Sequence, residues 1–301
     1  MKILVTGASG FIGKNLTPYL ERKGHTVIKV DLRSGDLTGD IADHDFVLEI
    51  LAKQDFDSII HLAAIADVKA CINDPHMCYR VNSFGTLNML ELAARKRVSR
   101  FIYSSSSNVY GVPVELPVKE TTPLTPRTPY DYSKVISENL IESYRKLKGL
   151  PFAALRSWKL FGEHDVTTTA VSRSINACLK GEQIQLYNSG RDTTDPYHIE
   201  NYCYAVELCL EREEAVGEVF NIGAGNELSI RQLAVLIKRL TNSDSELIDL
   251  PPRTVEEAQP MRSYPSIDKI QNRVGYRPIV PLEEGLRRTI EFQTNLLAKY
   301  P

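Results

Sequence analysis

The pair of residues best suited to move a proton in this chain is Tyr130 and Lys134. They open a segment with helical spacing over 130–148, one turn apart, so both side chains stack on one face. A free phenol has a pKa near ~10 and is a poor base at neutral pH. A lysine ammonium a few ångströms away favours the phenolate and lowers that value. Upstream, the strand-like run Arg100-Phe101-Ile102-Tyr103 leads into Ser104-Ser105-Ser106-Ser107-Asn108-Val109-Tyr110-Gly111. In a doubly wound sheet, hydroxyls at the C-terminal end of a strand lie where ligands bind. The spacing of Tyr130 and Lys134 is common by chance, and a serine-rich turn is the plain alternative. It is the pairing of the two features that points to acid/base chemistry.

A second constellation follows the first apolar run, Ile3-Leu4-Val5. Gly7-Ala8-Ser9-Gly10-Phe11-Ile12-Gly13 is a GxxGxxG loop opening a helix. Glycines let the backbone turn tightly and lie against a pyrophosphate, and the helix N-terminus offers free N–H groups to it. Asp31 ends the second apolar run, where an acid accepts bonds from adenosine ribose hydroxyls and repels a 2′-phosphate. The expected cofactor is therefore NAD rather than NADP, with Arg33 nearby weakening the preference. Asp40 and Ile41 stand where an acid reaches the adenine amino group, although a solvated loop acid fits Asp40 as well.

The elements that must position these groups alternate. Strand-like runs at 3–5, 26–30, 58–62 and 100–103 are separated by helical spacing at 11–23, 43–53 and about 75–97. This rhythm predicts a parallel sheet with helices on both faces. Pro18 falls inside the first helical pattern, where a kink is expected. Prolines at 113, 117, 123, 126 and 129 mark a surface loop before the 130–148 helix, and a further strand is expected at 152–158. Beyond residue 160 the alternation becomes irregular, with a helix near 282–297. The reading is an α/β protein: a doubly wound parallel Rossmann sheet over 1–160, with a smaller mixed α/β substrate lobe over 161–301 that interleaves with it.

Composition narrows the class. An apolar fraction of 43%, a charged fraction of 25% and a net charge of −2 suit a globular enzyme and argue against a nucleic-acid partner. The five cysteines include no CxxC pair, which favours buried thiols in a reducing compartment. No stretch approaches the roughly 20 apolar residues of a membrane span, so the cytoplasm is expected. His164 and His198 lack partners at metal-ligand spacing, so no metal is expected. Trp158 reads as core.

Taken in order, Thr6–Gly13, His61-Leu62-Ala63-Ala64, Asn82-Ser83-Phe84-Gly85-Thr86, the serine-rich strand end with Val109-Tyr110-Gly111, and Pro129-Tyr130 to Lys134 resemble the extended short-chain dehydrogenase/reductase family. The similarity runs on through Phe220-Asn221-Ile222-Gly223 and Pro281 to Leu286, and is greatest to nucleotide-sugar 4-epimerases of the UDP-glucose type. The resemblance implies that Tyr130 is the acid/base and that Lys134 is its electrostatic partner and a ligand of the nicotinamide ribose. Ser106 would bond the reacting sugar oxygen, with Ser105 the alternative if the register slips by one. Leu62, Ala63 and Ala64 join the glycine loop as cofactor contacts. It further implies a nucleotide-sugar substrate and a homodimer formed through the helices at about 75–97 and 130–148.

The positions after Ser106 bear on the reaction. Dehydratases of this family resemble one another in carrying Asp-Glu there, and decarboxylases keep the Glu. Here they are Ser107 and Asn108, which cannot do carboxyl chemistry. Epimerisation at C4 needs neither acid. Net reduction of a 4-keto sugar by the same residues is the second reading, and a catalytically idle NAD-binding protein the third. For the substrate, the resemblance implies Arg191 and Arg253 as diphosphate ligands, with Arg262 competing with Arg253, and the planar guanidinium suits a phosphate. Lys159 stands where many members have an asparagine and is a candidate for a phosphate or a carboxylate.

Overall fold

The computed structural model describes residues 1–165, 169–252 and 258–299. Along the first half run β1 (Lys2–Thr6), α1 (Phe11–Arg22), β2 (Thr26–Asp31), β3 (Leu37–Thr38), α2 (His44–Lys53), β4 (Ser58–His61), α3 (Val68–Asn73), α4 (Pro75–Tyr79), α5 (Gly85–Lys96), β5 (Arg100–Ser106), α6 (Pro129–Lys148) and β6 (Phe152–Ser157). Then follow β7 (Lys159–Phe161), α7 (Ala170–Lys180), β8 (Ile184–Tyr187), β9 (Thr193–Thr194), β10 (Pro196–His198), α8 (Ile199–Glu211), β11 (Glu218–Ile222), β12 (Leu228–Ser229), α9 (Ile230–Thr241), β13 (Leu247–Leu250), α10 (Asp268–Val274) and α11 (Leu282–Lys299).

Seven strands form one sheet in the order β11-β6-β5-β4-β1-β2-β3, every pair parallel. The order reverses beside β1, so the strand ends carrying Gly7 and Ser106 open onto the crevice where doubly wound sheets bind ligands. Both faces are covered. Leu16 and Leu20 of α1 pack with Tyr202 and Val206 of α8 on one, while Ile50 of α2, Leu90 of α5 and Ile141 of α6 pack on the other. This is why the strands read as unbroken apolar runs.

The lobe closes over the sheet's C-terminal edge. Its core joins Val171 and Ile175 of α7 to Leu233 and Ile237 of α9, with Phe161, Leu186 and Leu286. The chain does not stay in that lobe: β11 returns to the edge of the central sheet.

Two local features bear on the expected helices, and one of them is a correction. Pro18 stands inside α1 as expected, and the helix continues past it to Arg22. Burial of Leu16, Tyr19 and Leu20 against the sheet outweighs the ~3 kcal/mol cost of an interior proline. The segment at 75–97 is not one regular helix. A π-turn at Arg80–Phe84 separates α4 from α5 and turns Asn82 and Ser83 inward, where both are buried.

Candidate active site

Helix α6 places the proton-transfer pair. Thr128 caps it, accepting from Asp131 N while the Asp131 carboxylate accepts from Thr128 N, and Pro129 occupies the first turn. Tyr130 and Lys134 then point from the first two turns into the cleft, both buried. The Lys134 ammonium donates to Ser104 O at 2.8 Å and stands 5.8 Å from the Tyr130 ring centre. Ser106 Oγ accepts Asn108 N at 3.2 Å at the end of β5, and its hydrogen bond to the Tyr130 phenol favours the phenolate. Ser105 faces the other way and donates to Glu138. The structure thus brings together Ser106, Tyr130 and Lys134.

The expected depression of the Tyr130 pKa by Lys134 is corrected. Burial among Cys71, Cys78, Ile65 and Val68 pushes the phenol up to about 12, with Ser106 pulling it back only in part. Burial also lowers Lys134 to about 8. Removing water penalises both charged forms at once.

Behind the pair lies a set of buried polar groups that spacing alone did not single out. Asn82 Nδ2 donates to Ser133 Oγ at 3.0 Å, and Ser137 Oγ donates to Asn82 O at 3.0 Å. His61 lies between the Thr6 and Thr86 hydroxyls at 2.7 and 3.0 Å, and burial lowers its pKa to about 3, leaving it neutral. Under Ser105, Arg156 pairs with Glu138 at 2.6 Å and donates to the Tyr110 hydroxyl at 2.7 Å. Their signal in sequence was the run Asn82 to Thr86, whose partners lie far along the chain.

The glycine loop fits a dinucleotide. Gly7 has φ +72°, and a Cβ there would sit 2.7 Å from Ala63 N; one on Gly13 would sit 2.4 Å from Gly7 O. The loop is thereby pressed against Leu62-Ala63, with Ala64 following. Gly10 caps α1 in an extended conformation, with no side-chain cap and no acid in the first turn. The N–H groups of Phe11, Ile12 and their neighbours are thus left for an anion. Asp31 closes the adjoining strand end, accepting Ser9 N and Arg33 N, each at 3.0 Å. Asp40 is more committed than expected: it accepts Ala42 N at 2.9 Å and pairs with Arg80 at 2.7 Å. Ile41 is buried, and a Cβ on Gly85 would strike it.

Beside Ser107 and Asn108 opens a cavity of about 650 Å³, roofed by the lobe, a size suited to a small ligand. Lys159, Arg127 and Arg173 line it, with Asp131, Asp192, Tyr187, Ile230 and Leu233. Arg191 is not on its wall, because the guanidinium folds back onto the carbonyl and side chain of Asn188. Arg253 lies outside the described residues, and Arg262 is paired at the surface with Glu227. Trp158 belongs to the core yet also lines the cavity. His198 pairs with Glu163 at 3.0 Å and His164 packs edge-on against Phe292. No helix among the described residues is long and apolar enough to cross a membrane.

Comparison with known proteins identifies the family. The family model of NAD-dependent epimerases and dehydratases matches residues 3–223. UDP-glucuronic acid decarboxylase 1 of Xenopus tropicalis is 34% identical over 97% of this chain and 72% of its own length. The putative UDP-glucose 4-epimerase of Methanocaldococcus jannaschii is 31% identical over 97% of this chain and 98% of its own. Among solved structures, the UDP-glucose 4-epimerase of Thermotoga maritima with UDP-glucose superposes with a TM-score of 0.92 at 30% identity, covering 99% of this chain and 100% of that one. The chain belongs to the NAD-dependent epimerase/dehydratase family, the nucleotide-sugar enzymes of the extended short-chain dehydrogenase/reductase type, and its cofactor is NAD.

Proposed function

We propose that this enzyme is a nucleotide-sugar 4-epimerase. The observation that carries the reading is that Ser107 and Asn108, which follow Ser106 in the chain, line the cavity. Dehydration or decarboxylation through the neighbouring family chemistries would call for carboxyls there. Glu138 does not substitute for them, since it is buried against Arg156 and Ser105. Asp131 commits one carboxylate oxygen to the α6 cap, and its other oxygen is buried.

Gly7, Gly10, Phe11, Ile12 and Gly13 would hold the pyrophosphate, Asp31 the adenosine ribose, and Leu62, Ala63 and Ala64 the floor. Asp40 and Ile41 border the adenine end. When bound, NAD would supply a reversible hydride acceptor whose positive charge favours the Tyr130 phenolate against the burial that raises its pKa. Ser106 hydrogen-bonds O4 of the sugar, Tyr130 takes the O4 proton, and Lys134 stabilises the charge that develops on the phenol. The 4-keto sugar turns in the cavity, and Tyr130 returns the proton to the opposite epimer.

Two copies would associate through α4, α5 and α6, where Met77, Phe84, Tyr132 and Ile136 are exposed together with Ile72. A C₂ contact buries such a face on both copies at once. Light scattering at micromolar concentration should give twice the chain mass, and a monomer would count against the contact.

The activity is tested by incubating the enzyme with UDP-, GDP-, dTDP- and CDP-hexoses and uronates and following anomeric protons by NMR. Epimerisation predicts the same product ratio from either C4 epimer, with no added NADH. A 4-keto-6-deoxy product, a pentose, or a strict requirement for stoichiometric NADH would displace the reading.

A further inference from the structure

The cavity is lined by three cations and two carboxylates. Lys159, Arg127 and Arg173 line it, and among the described residues none of the three has an ionic partner. The wall's two carboxylates are tied to backbone. Asp131 accepts Arg127 N and Thr128 N at 3.0 and 2.9 Å, and Asp192 accepts Met261 N at 2.9 Å.

The cations divide by position. Arg173 stands on α7 with Tyr187, Ile230 and Leu233, at the end built by the lobe. Lys159 follows Trp158 directly after β6 and lines the same cavity as Ser107, Asn108 and Asp131, with the Asp131 carboxylate near enough to bear on its charge. Those are the neighbours of Ser106 and Tyr130, so Lys159 belongs to the end where the sugar reacts. It is open to the cavity, yet crowding by the walls holds its ammonium below the usual lysine range, with Asp131 opposing that shift.

Ring geometry then names its ligand. In a hexose the diphosphate leaves from C1, across the ring from C4, whereas the C5 substituent is next to C4. C4 is flanked by C3 as well, but C3 carries a neutral hydroxyl, so of the two neighbouring positions only the C5 substituent offers a cation a charged partner. A hydroxymethyl group there leaves an ammonium unpaired in a partly dehydrated site, and a carboxylate neutralises it through a charge-assisted hydrogen bond. We infer that Lys159 binds a sugar carboxylate, so that the substrate is a nucleotide uronate rather than a neutral nucleotide hexose. The inference rests on the epimerase reading and specifies its substrate class.

The test compares UDP-glucuronate with UDP-glucose on the wild-type enzyme and on Lys159→Met and Lys159→Arg, with C4 epimers followed by NMR and UDP binding by calorimetry. The wild type should favour UDP-glucuronate in kcat/KM by at least about 10-fold. Lys159→Met should collapse that preference by about 10²-fold, the scale for truncating one partner of a desolvated charge pair. Lys159→Arg should restore part of it. Equal or better use of UDP-glucose by the wild type would overturn the inference while leaving the epimerase in place. So would a Lys159→Met enzyme that loses UDP and both sugars alike, which would put the ammonium on the diphosphate. Absence of any 4-epimer from either sugar would remove the epimerase reading itself, and this inference with it.

Discussion

The two walls of the cavity are built on opposite plans. On the sheet side nearly every polar group that backs the reacting residues is bonded to another part of the protein. Glu138 joins Ser105 to Arg156, and Asn82 joins Ile65 to Ser133. On the lobe side Arg173 faces the cavity with no ionic partner among the described residues. The difference separates two tasks. Groups that must hold a proton-transfer geometry are fixed beforehand by a satisfied internal network. Groups that must bind a charged ligand keep their hydrogen-bonding capacity for it.

This comparison breaks first where the network is deepest. Glu138→Ala would leave Arg156 buried without its carboxylate, and it should cost about 3–5 kcal/mol of stability by urea denaturation. A loss under 1 kcal/mol would mean the sheet-side network is not structural. Next in size, Tyr130→Phe should lower turnover by at least ~10²-fold while NAD still binds and the fold persists by circular dichroism. Near wild-type turnover would remove Tyr130 from its role. On the lobe side, Arg173→Ala should leave stability within about 0.5 kcal/mol, as for an exposed residue, and weaken UDP binding by about 10-fold in calorimetry. A large fall in stability with unchanged UDP affinity would erase the distinction between the walls.

What could be read from sequence follows the same division. Tyr130, Lys134 and the glycine loop are legible because their chemistry depends on residues one turn or one loop apart. The parallel sheet is legible because strands buried on both faces read as short apolar runs. The direction of the Tyr130 pKa was not, since it is set by burial against Cys71 and Cys78 on α3 and α4, which no local spacing reports. The π-turn at Arg80–Phe84 left no distinct apolar period either. Arg127 and Arg173 went unnoticed because only the lobe's packing brings them to one cavity. The position of Arg191 is set locally: Asn188 and Ser189 adopt positive φ, and the turn folds the guanidinium back onto Asn188.

The central claim is that hydrogen removed from C4 returns to C4 and that no other carbon–hydrogen bond of the sugar is broken. Running the reaction to equilibrium in D₂O and measuring the product epimer by mass spectrometry, after back-exchange of its hydroxyls, tests this directly. Epimerisation through Ser106, Tyr130 and Lys134 predicts a product with no carbon-bound deuterium. A gain of one mass unit, located at C5 by NMR, would show that a carbon acid is being deprotonated and would contradict the account.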